Sequence, residues 1–245
     1  MHARDTTADA AEIGRFAAQA DAWWNSVGSF GMLHRINPIR LTFIRTRLLD
    51  HFCRDPHQLR PFTVLRLLDI GCGGGLMAEP MTRLGFAVTG ADAASEAIAA
   101  AREHAQAAGL SIDYRVATAG SIAGSGERFD VVLALEVIEH LADCNAFWRS
   151  LGVLLAPGGA LIVATINRTV RSFALAIVGA EYILGWIPRG THDWRKFVRP
   201  SELVLGLRRN GLHPTEIVGL SYQLATGEWA LSRDIEVNYL VMAAR

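Results

Sequence analysis

The sequence predicts an α/β protein built on a parallel sheet with helices on both faces, and three observations carry that expectation. Short apolar runs at 64–70, 87–91, 111–116, 130–135 and 160–165 alternate with helical stretches at 76–84, 95–108 and 143–155. Such alternation is what parallel strands joined by crossover helices require. The first run, Leu67-Leu68-Asp69-Ile70, breaks into Gly71-Cys72-Gly73-Gly74-Gly75 and then resumes as a helix former. Glycine is needed where φ must be positive or where a ligand approaches bare backbone. The second run ends in Asp92, seventeen positions after Gly75, about where a carboxylate meets a ribose in a nucleotide-binding βαβ unit.

Taken in order, residues 10–24 read as a helix with Phe16, Ala20, Trp23 and Trp24 on one side. A second helix is expected to start at Asn37-Pro38, since proline suits a first turn, and to run to about Phe52. Pro157-Gly158-Gly159 reads as a turn feeding the strand at 160–165. Beyond it come a helix at 201–210 and strands near 213–220 and 236–243.

The glycine spacing selects the nucleotide. A dinucleotide fingerprint needs a sixth-position glycine, and that position holds Leu76; a phosphate-binding P-loop needs Gly-Lys-Ser/Thr, and none follows. What remains is Gly-x-Gly-x-Gly with an acidic residue two places ahead. The bland alternative is a glycine turn that only lets a helix pack close to a strand.

Glu136, Glu139 and His140 follow the run 130–135, at the strand end where ligands of parallel sheets bind. Two carboxylates and an imidazole could hold an oxygen-preferring cation such as Mg²⁺. Without a metal, His140 or Glu139 is the candidate general base; as a structural feature the trio would simply hold the loop. Residues 166–199 are harder to read as core. Their middle is apolar nearly all round, while Arg168, Arg171, Arg189, Arg195, Lys196 and Arg199 stand against only Glu181 and Asp193. That composition suits an interfacial helix on anionic lipid, or a lid over an apolar substrate. A helix buried on the sheet is the plain alternative.

A chain of 245 residues with zero formal net charge argues against a general nucleic-acid binder. Cys53, Cys72 and Cys144 have no metal-ligand spacing, and their odd number suggests a reducing compartment. The polar first residues lack a signal core, and no uncharged run approaches the ~20 residues that span a bilayer. A cytoplasmic protein is expected.

Asp69, the glycine loop and Asp92 together resemble motif I of class I S-adenosylmethionine-dependent methyltransferases. Further segments narrow the likeness: Trp23-Trp24, Leu33-His34-Arg35-Ile36-Asn37-Pro38-Ile39-Arg40, Thr165-Ile166-Asn167-Arg168, Val178-Gly179-Ala180-Glu181-Tyr182-Ile183-Leu184, Gly190-Thr191-His192-Asp193-Trp194 and Asp234-Ile235-Glu236-Val237-Asn238-Tyr239. From about residue 10 to the end the chain resembles the ubiquinone-biosynthesis O-methyltransferases. The resemblance implies one domain over 1–245 with a Rossmann-like three-layer sandwich. Its sheet would have seven strands, mostly parallel with the last antiparallel, plus N-terminal helices forming a cap over 1–60. It implies S-adenosylmethionine held by Arg40, Gly71, Gly73, Asp92 and Leu135, and Mg²⁺ at Glu136, Glu139 and His140. The implied substrate is a polyprenylated catechol or quinol. The implied partners are an anionic membrane surface met through 168–199 at the inner face, and other ubiquinone-biosynthesis proteins. One segment departs from the family: Ala117-Thr118-Ala119-Gly120-Ser121 lacks the usual acidic residue near the adenine, leaving that contact to backbone or Ser121. The rival readings are a methyltransferase for another phenol or a carbon, a NAD-dependent oxidoreductase, and a non-catalytic cofactor-binding regulator.

Overall fold

A computed structural model describes residues 14, 22–183, 193–223 and 225–245. Five parallel strands follow the expected runs: β1 Arg66–Ile70, β2 Ala87–Asp92, β3 Asp113–Val116, β4 Phe129–Leu135 and β5 Leu155–Ile166. Three more complete the sheet: β6 His213–Gln223, β7 Glu228–Ser232 and β8 Asn238–Ala244. The order is β3-β2-β1-β4-β5-β8-β6-β7, and β8 runs antiparallel to both β5 and β6. The antiparallel last strand is as expected. The sheet has eight strands rather than seven because the link between β6 and β8 folds back as a hairpin strand, with Leu220 opposite Leu231 and Tyr222 opposite Trp229. A five-residue edge strand with neither face fully buried leaves little periodic signal.

Residues alternate cleanly between two cores. Val131, Leu133, Ile162, Leu240 and Met242 face one, while Val132, Ala134, Leu161, Val163, Val241 and Ala243 face the other. Helix α1 (Gly31–His51) covers the first face with α2 (Ala78–Arg83) and α3 (Ser95–Ala107); α4 (Ala119–Gly124), α5 (Cys144–Leu154) and α6 (Pro200–Arg209) cover the second. Both faces of each central strand are therefore dry, as the continuous apolar runs require.

Two local expectations are corrected. The helix expected from Asn37 begins at Gly31, and Pro38 lies inside it. There the proline denies a donor to the His34 carbonyl, but Ile36, Arg40, Phe43, Ile44 and Leu48 still bury one continuous stripe. Packing along that stripe outweighs the missing bond. Likewise β5 starts at Leu155, before the turn expected at Pro157-Gly158-Gly159. The turn survives as an irregularity in register, with Gly158 at φ +74°. The helix expected at 10–24 falls mostly outside the described residues.

The strand order reverses between β1 and β4. Their carboxyl ends open a crevice at that switch point, the usual seat of a ligand in an open α/β sheet.

Candidate active site

The loop after β1 is pinned from β2. Asp92 accepts hydrogen bonds from Gly73 N at 2.9 Å and from Ala94 N at 2.9 Å. Burial raises its pKa, while these backbone donors act the other way. Gly71 N and Cys72 N both donate to the Ala91 carbonyl, at 2.8 and 3.1 Å, and Gly75 N donates to Cys72 O at 2.9 Å. Four of the loop's N–H groups are thus engaged within the protein. A phosphate cradle depends on such groups being free, so this loop is unsuited to a pyrophosphate. It offers acceptors instead, among them Asp69, which is buried with Oδ2 lacking a partner among the described residues. An acceptor-rich loop suits a ligand carrying an ammonium and a sulfonium.

Each glycine answers a particular neighbour. Gly71 adopts φ +70°, and a Cβ there would lie 2.4 Å from Val137 in the loop after β4. At Gly73 (φ +51°) and Gly74 a Cβ would lie 2.2 and 2.4 Å from Trp23, and at Gly75 it would lie 2.1 Å from the Tyr114 hydroxyl. The chain's own side chains therefore impose the glycines as strictly as a ligand would, a cause the spacing alone did not reveal.

After β4, Glu136 takes φ +56°, rare for a residue with a side chain. This turns its carboxylate to the guanidinium of Arg40, which α1 buries almost completely. Arg40 Nε has no partner among the described residues, so within them the guanidinium has a donor to spare. Glu139 accepts from Thr165 Oγ1 at 2.8 Å, while its Oε1 meets no hydrogen-bond partner among the described residues. Burial first, and the Glu136 charge second, push the Glu139 carboxyl well above the ordinary carboxylate range, favouring its protonated form. His140 ends the turn Ile138–His140, half-buried, and Leu135 closes β4 beneath it.

The structure pairs Arg40 with half-buried Glu136 and sets buried Glu139 close to them. It does not gather the trio expected to hold Mg²⁺: among the described residues no three His, Cys, Asp or Glu side chains are placed to bind a metal ion. Glu136 is engaged by a cation, and Glu139 favours its proton. The donors as arranged do not fit Mg²⁺. Ser121, a candidate for the adenine, has its hydroxyl committed to a reciprocal cap with Thr118 at the start of α4.

The fit to S-adenosylmethionine is better. Seven buried side-chain polar atoms lack partners among the described residues, and five belong to Trp23, Arg40, Asp69, Tyr114 and Glu139, around the glycine loop and the β4 end. Buried groups are normally paired, so their concentration here marks a place completed by a ligand.

Fold and site define a class I S-adenosylmethionine-dependent methyltransferase. The methyltransferase domain model matches residues 68–163. A solved structure of magnesium protoporphyrin IX methyltransferase from Synechocystis PCC 6803 with bound SAM aligns at TM-score 0.61, with 14% identity over 96% of this chain and 97% of that one. The family follows from closer relatives. The chain is 51% identical to the ubiquinone biosynthesis O-methyltransferase of Parvibaculum lavamentivorans, over 98% of this chain and 95% of that protein. It is also 51% identical to that of a Chelativorans species, over 99% and 96%. The chain belongs to the ubiquinone biosynthesis O-methyltransferase family.

Asp69 yields a test of the site's electrostatics. Burial, then the Asp92 charge, pushes its pKa up to about 7. Between the ordinary carboxylate value and that level the folded state keeps a proton the unfolded chain has released. The stabilisation from Asp69 is therefore full in acid and is lost as pH rises through about 7. Asp69→Asn cannot ionise. Urea unfolding at acidic and alkaline pH should show the variant gaining relative to wild type in alkali, by at most about 4 kcal/mol. Parallel profiles would refute the assignment.

Proposed function

We propose that this enzyme transfers the methyl group of S-adenosylmethionine to phenolic hydroxyls of polyprenylated ubiquinone precursors, in both O-methylation steps. The observation that carries the reading is the acceptor-rich, N–H-engaged glycine loop clamped by Asp92 beside the Arg40–Glu136 pair. The names of the close relatives supply the substrate class. A methyltransferase for a small soluble phenol is the second reading, and prenylated and unprenylated acceptors distinguish the two.

When bound, the cofactor supplies an electrophilic methyl on a sulfonium. The protein's part is to hold, dry and deprotonate. Asp92 keeps lone pairs for the ribose hydroxyls beyond its two backbone bonds. The spare donor of Arg40 meets the cofactor carboxylate, while Asp69 offers its unpartnered oxygen to the ammonium. Gly71, Gly73 and Leu135 form the floor. A free phenol has a pKa near ~10, so the acceptor needs a base. Glu139 is buried and favours its proton, which leaves that role to His140, with Glu136 and Glu139 holding its loop.

Mass spectrometry of methyl transfer to a prenylated catechol tests this. Wild type should methylate it well ahead of the unprenylated analogue. His140→Ala should lose about 10²- to 10³-fold in kcat with cofactor affinity unchanged, and should recover as pH approaches the phenol's own pKa. Equal turnover of both acceptors, or a His140→Ala rate that matches wild type at neutral pH, would overturn the reading.

The same reading places the enzyme at the inner face of the membrane, with other enzymes of the pathway as neighbours. No described helix is long and apolar enough to cross a bilayer. A turn Val170–Ser172 runs into a π-helical stretch Phe173–Ile183. It buries Ala176, Ala180 and Glu181 and exposes Val170, Phe173, Leu175 and Val178. The exposed apolar side is the feature that supports surface contact. Its cationic border is partly neutralised: Arg168 pairs with Glu202, and Arg171 with Asp234 at 2.6 Å. Trp194 donates to the Thr169 carbonyl at 2.8 Å and anchors the start of the stretch; His192 and Arg189 lie outside the described residues. Changing Phe173, Leu175 and Val178 to serine should cut co-sedimentation with anionic liposomes severalfold and leave cofactor binding intact. Unchanged sedimentation would remove the membrane assignment.

A further inference from the structure

The mechanism leaves one prominent motif unused, the paired tryptophans ahead of α1. Trp23 is only 8% exposed and stacks on Phe30 with ring centroids 3.8 Å apart and planes 7° from parallel. Its far side covers Gly73 and Gly74 so closely that neither position can carry a Cβ. The indole Nε1 is buried with no acceptor among the described residues. A buried tryptophan N–H nearly always finds a partner, and leaving one unmet is costly. The ring lies against the segment that Asp92 clamps, within a cluster that includes Ala94 and Ala97 at the start of α3.

The neighbouring residue fixes this arrangement from outside. Trp24 Nε1 donates to the Gly74 carbonyl at 3.0 Å. The Trp24 ring stacks on the His104 imidazole of α3, centroids 3.4 Å apart and 4° from parallel. His104 Nδ1 lies 2.6 Å from Oε1 of Glu79, a carboxylate that α2 buries, and Glu79 also faces Arg83 at 3.5 Å. On the other side His34 Nε2 donates to the Trp23 carbonyl at 2.8 Å. One strap is thus tied to the glycine loop, α1, α2 and α3 together.

We propose that Trp23 is a cofactor-binding residue, its indole forming a wall of the S-adenosylmethionine site and its N–H donating to a cofactor oxygen, and that Trp24, His104 and Glu79 form the latch holding it closed. Trp23 thus sets its ring against Gly73 and Gly74 and carries an N–H that no described residue takes up. The acceptor is a ribose hydroxyl or the aminoacyl carboxylate, the oxygens available on this ligand near Gly73 and Asp92. The proposal rests on the cofactor assignment and is independent of which phenol is methylated.

Calorimetry and stopped-flow measurements with S-adenosylmethionine and S-adenosylhomocysteine test it without any acceptor. Trp23→Phe keeps a ring against the glycines and removes the N–H; its Kd should rise about five- to tenfold with the melting temperature near wild type. Trp23→Ala should lose more. His104→Ala leaves Trp23 in place but loosens the latch, so the cofactor should dissociate severalfold faster. Wild-type Kd in Trp23→Phe together with a wild-type dissociation rate in His104→Ala would overturn the proposal. Tighter binding by Trp23→Ala would also overturn it, by showing the ring to be a plug on the cofactor's seat. Should Trp23→Ala fail to fold, the Phe and His104 variants still decide.

Discussion

Both oxygens of the Asp92 carboxylate are bound to backbone, one to Gly73 N and the other to Ala94 N, and the edge of the sheet is organised around that clamp. It ties the loop after β1 to the end of β2 and to the start of α3. With Gly71 N and Cys72 N also directed to Ala91 O, the loop turns its donors inward. A phosphate has few donors to meet there, whereas an ammonium or a sulfonium finds acceptors. The choice between a dinucleotide and an adenosyl sulfonium is thereby made by hydrogen-bond direction rather than by glycine count.

The far side of the crevice follows a similar logic. Glu136 is bent into a positive φ that brings it to Arg40, and Glu139 lies behind it, buried against Thr165. Backbone strain persists only where the surroundings over-determine it. Here the determinants are a buried guanidinium from α1 and the close approach of Val137 to Gly71. The two loops of the switch point therefore hold each other, and α1 is as much a part of the site as of the core.

Much of this was legible in the chain. The central strands β1, β4 and β5 stood out because burial on both faces makes their runs continuously apolar, and Asp69, Gly71, Gly73 and Asp92 stood out because their spacing is local. What escaped was set at long range. Nothing near Glu136 announces that Arg40, ninety-six positions earlier, will claim its carboxylate, so a metal trio was expected where the structure forms an ion pair beside a buried carboxyl. Trp23 could be seen as a motif but not as the reason for Gly73 and Gly74. Pro38 obscured the start of α1 because a local rule for proline met a packing stripe that overrode it, and β7 was missed because its five residues, none of them fully buried, are too few to show a period.

The central claim is that the Asp92-clamped loop is the seat of the adenosyl cofactor. Calorimetric titration of wild type and Asp92→Ala with S-adenosylhomocysteine tests it most directly. Removing the carboxylate that clamps the loop should weaken binding at least about tenfold, in a protein that still unfolds cooperatively. Equal affinity in the two proteins would contradict the account.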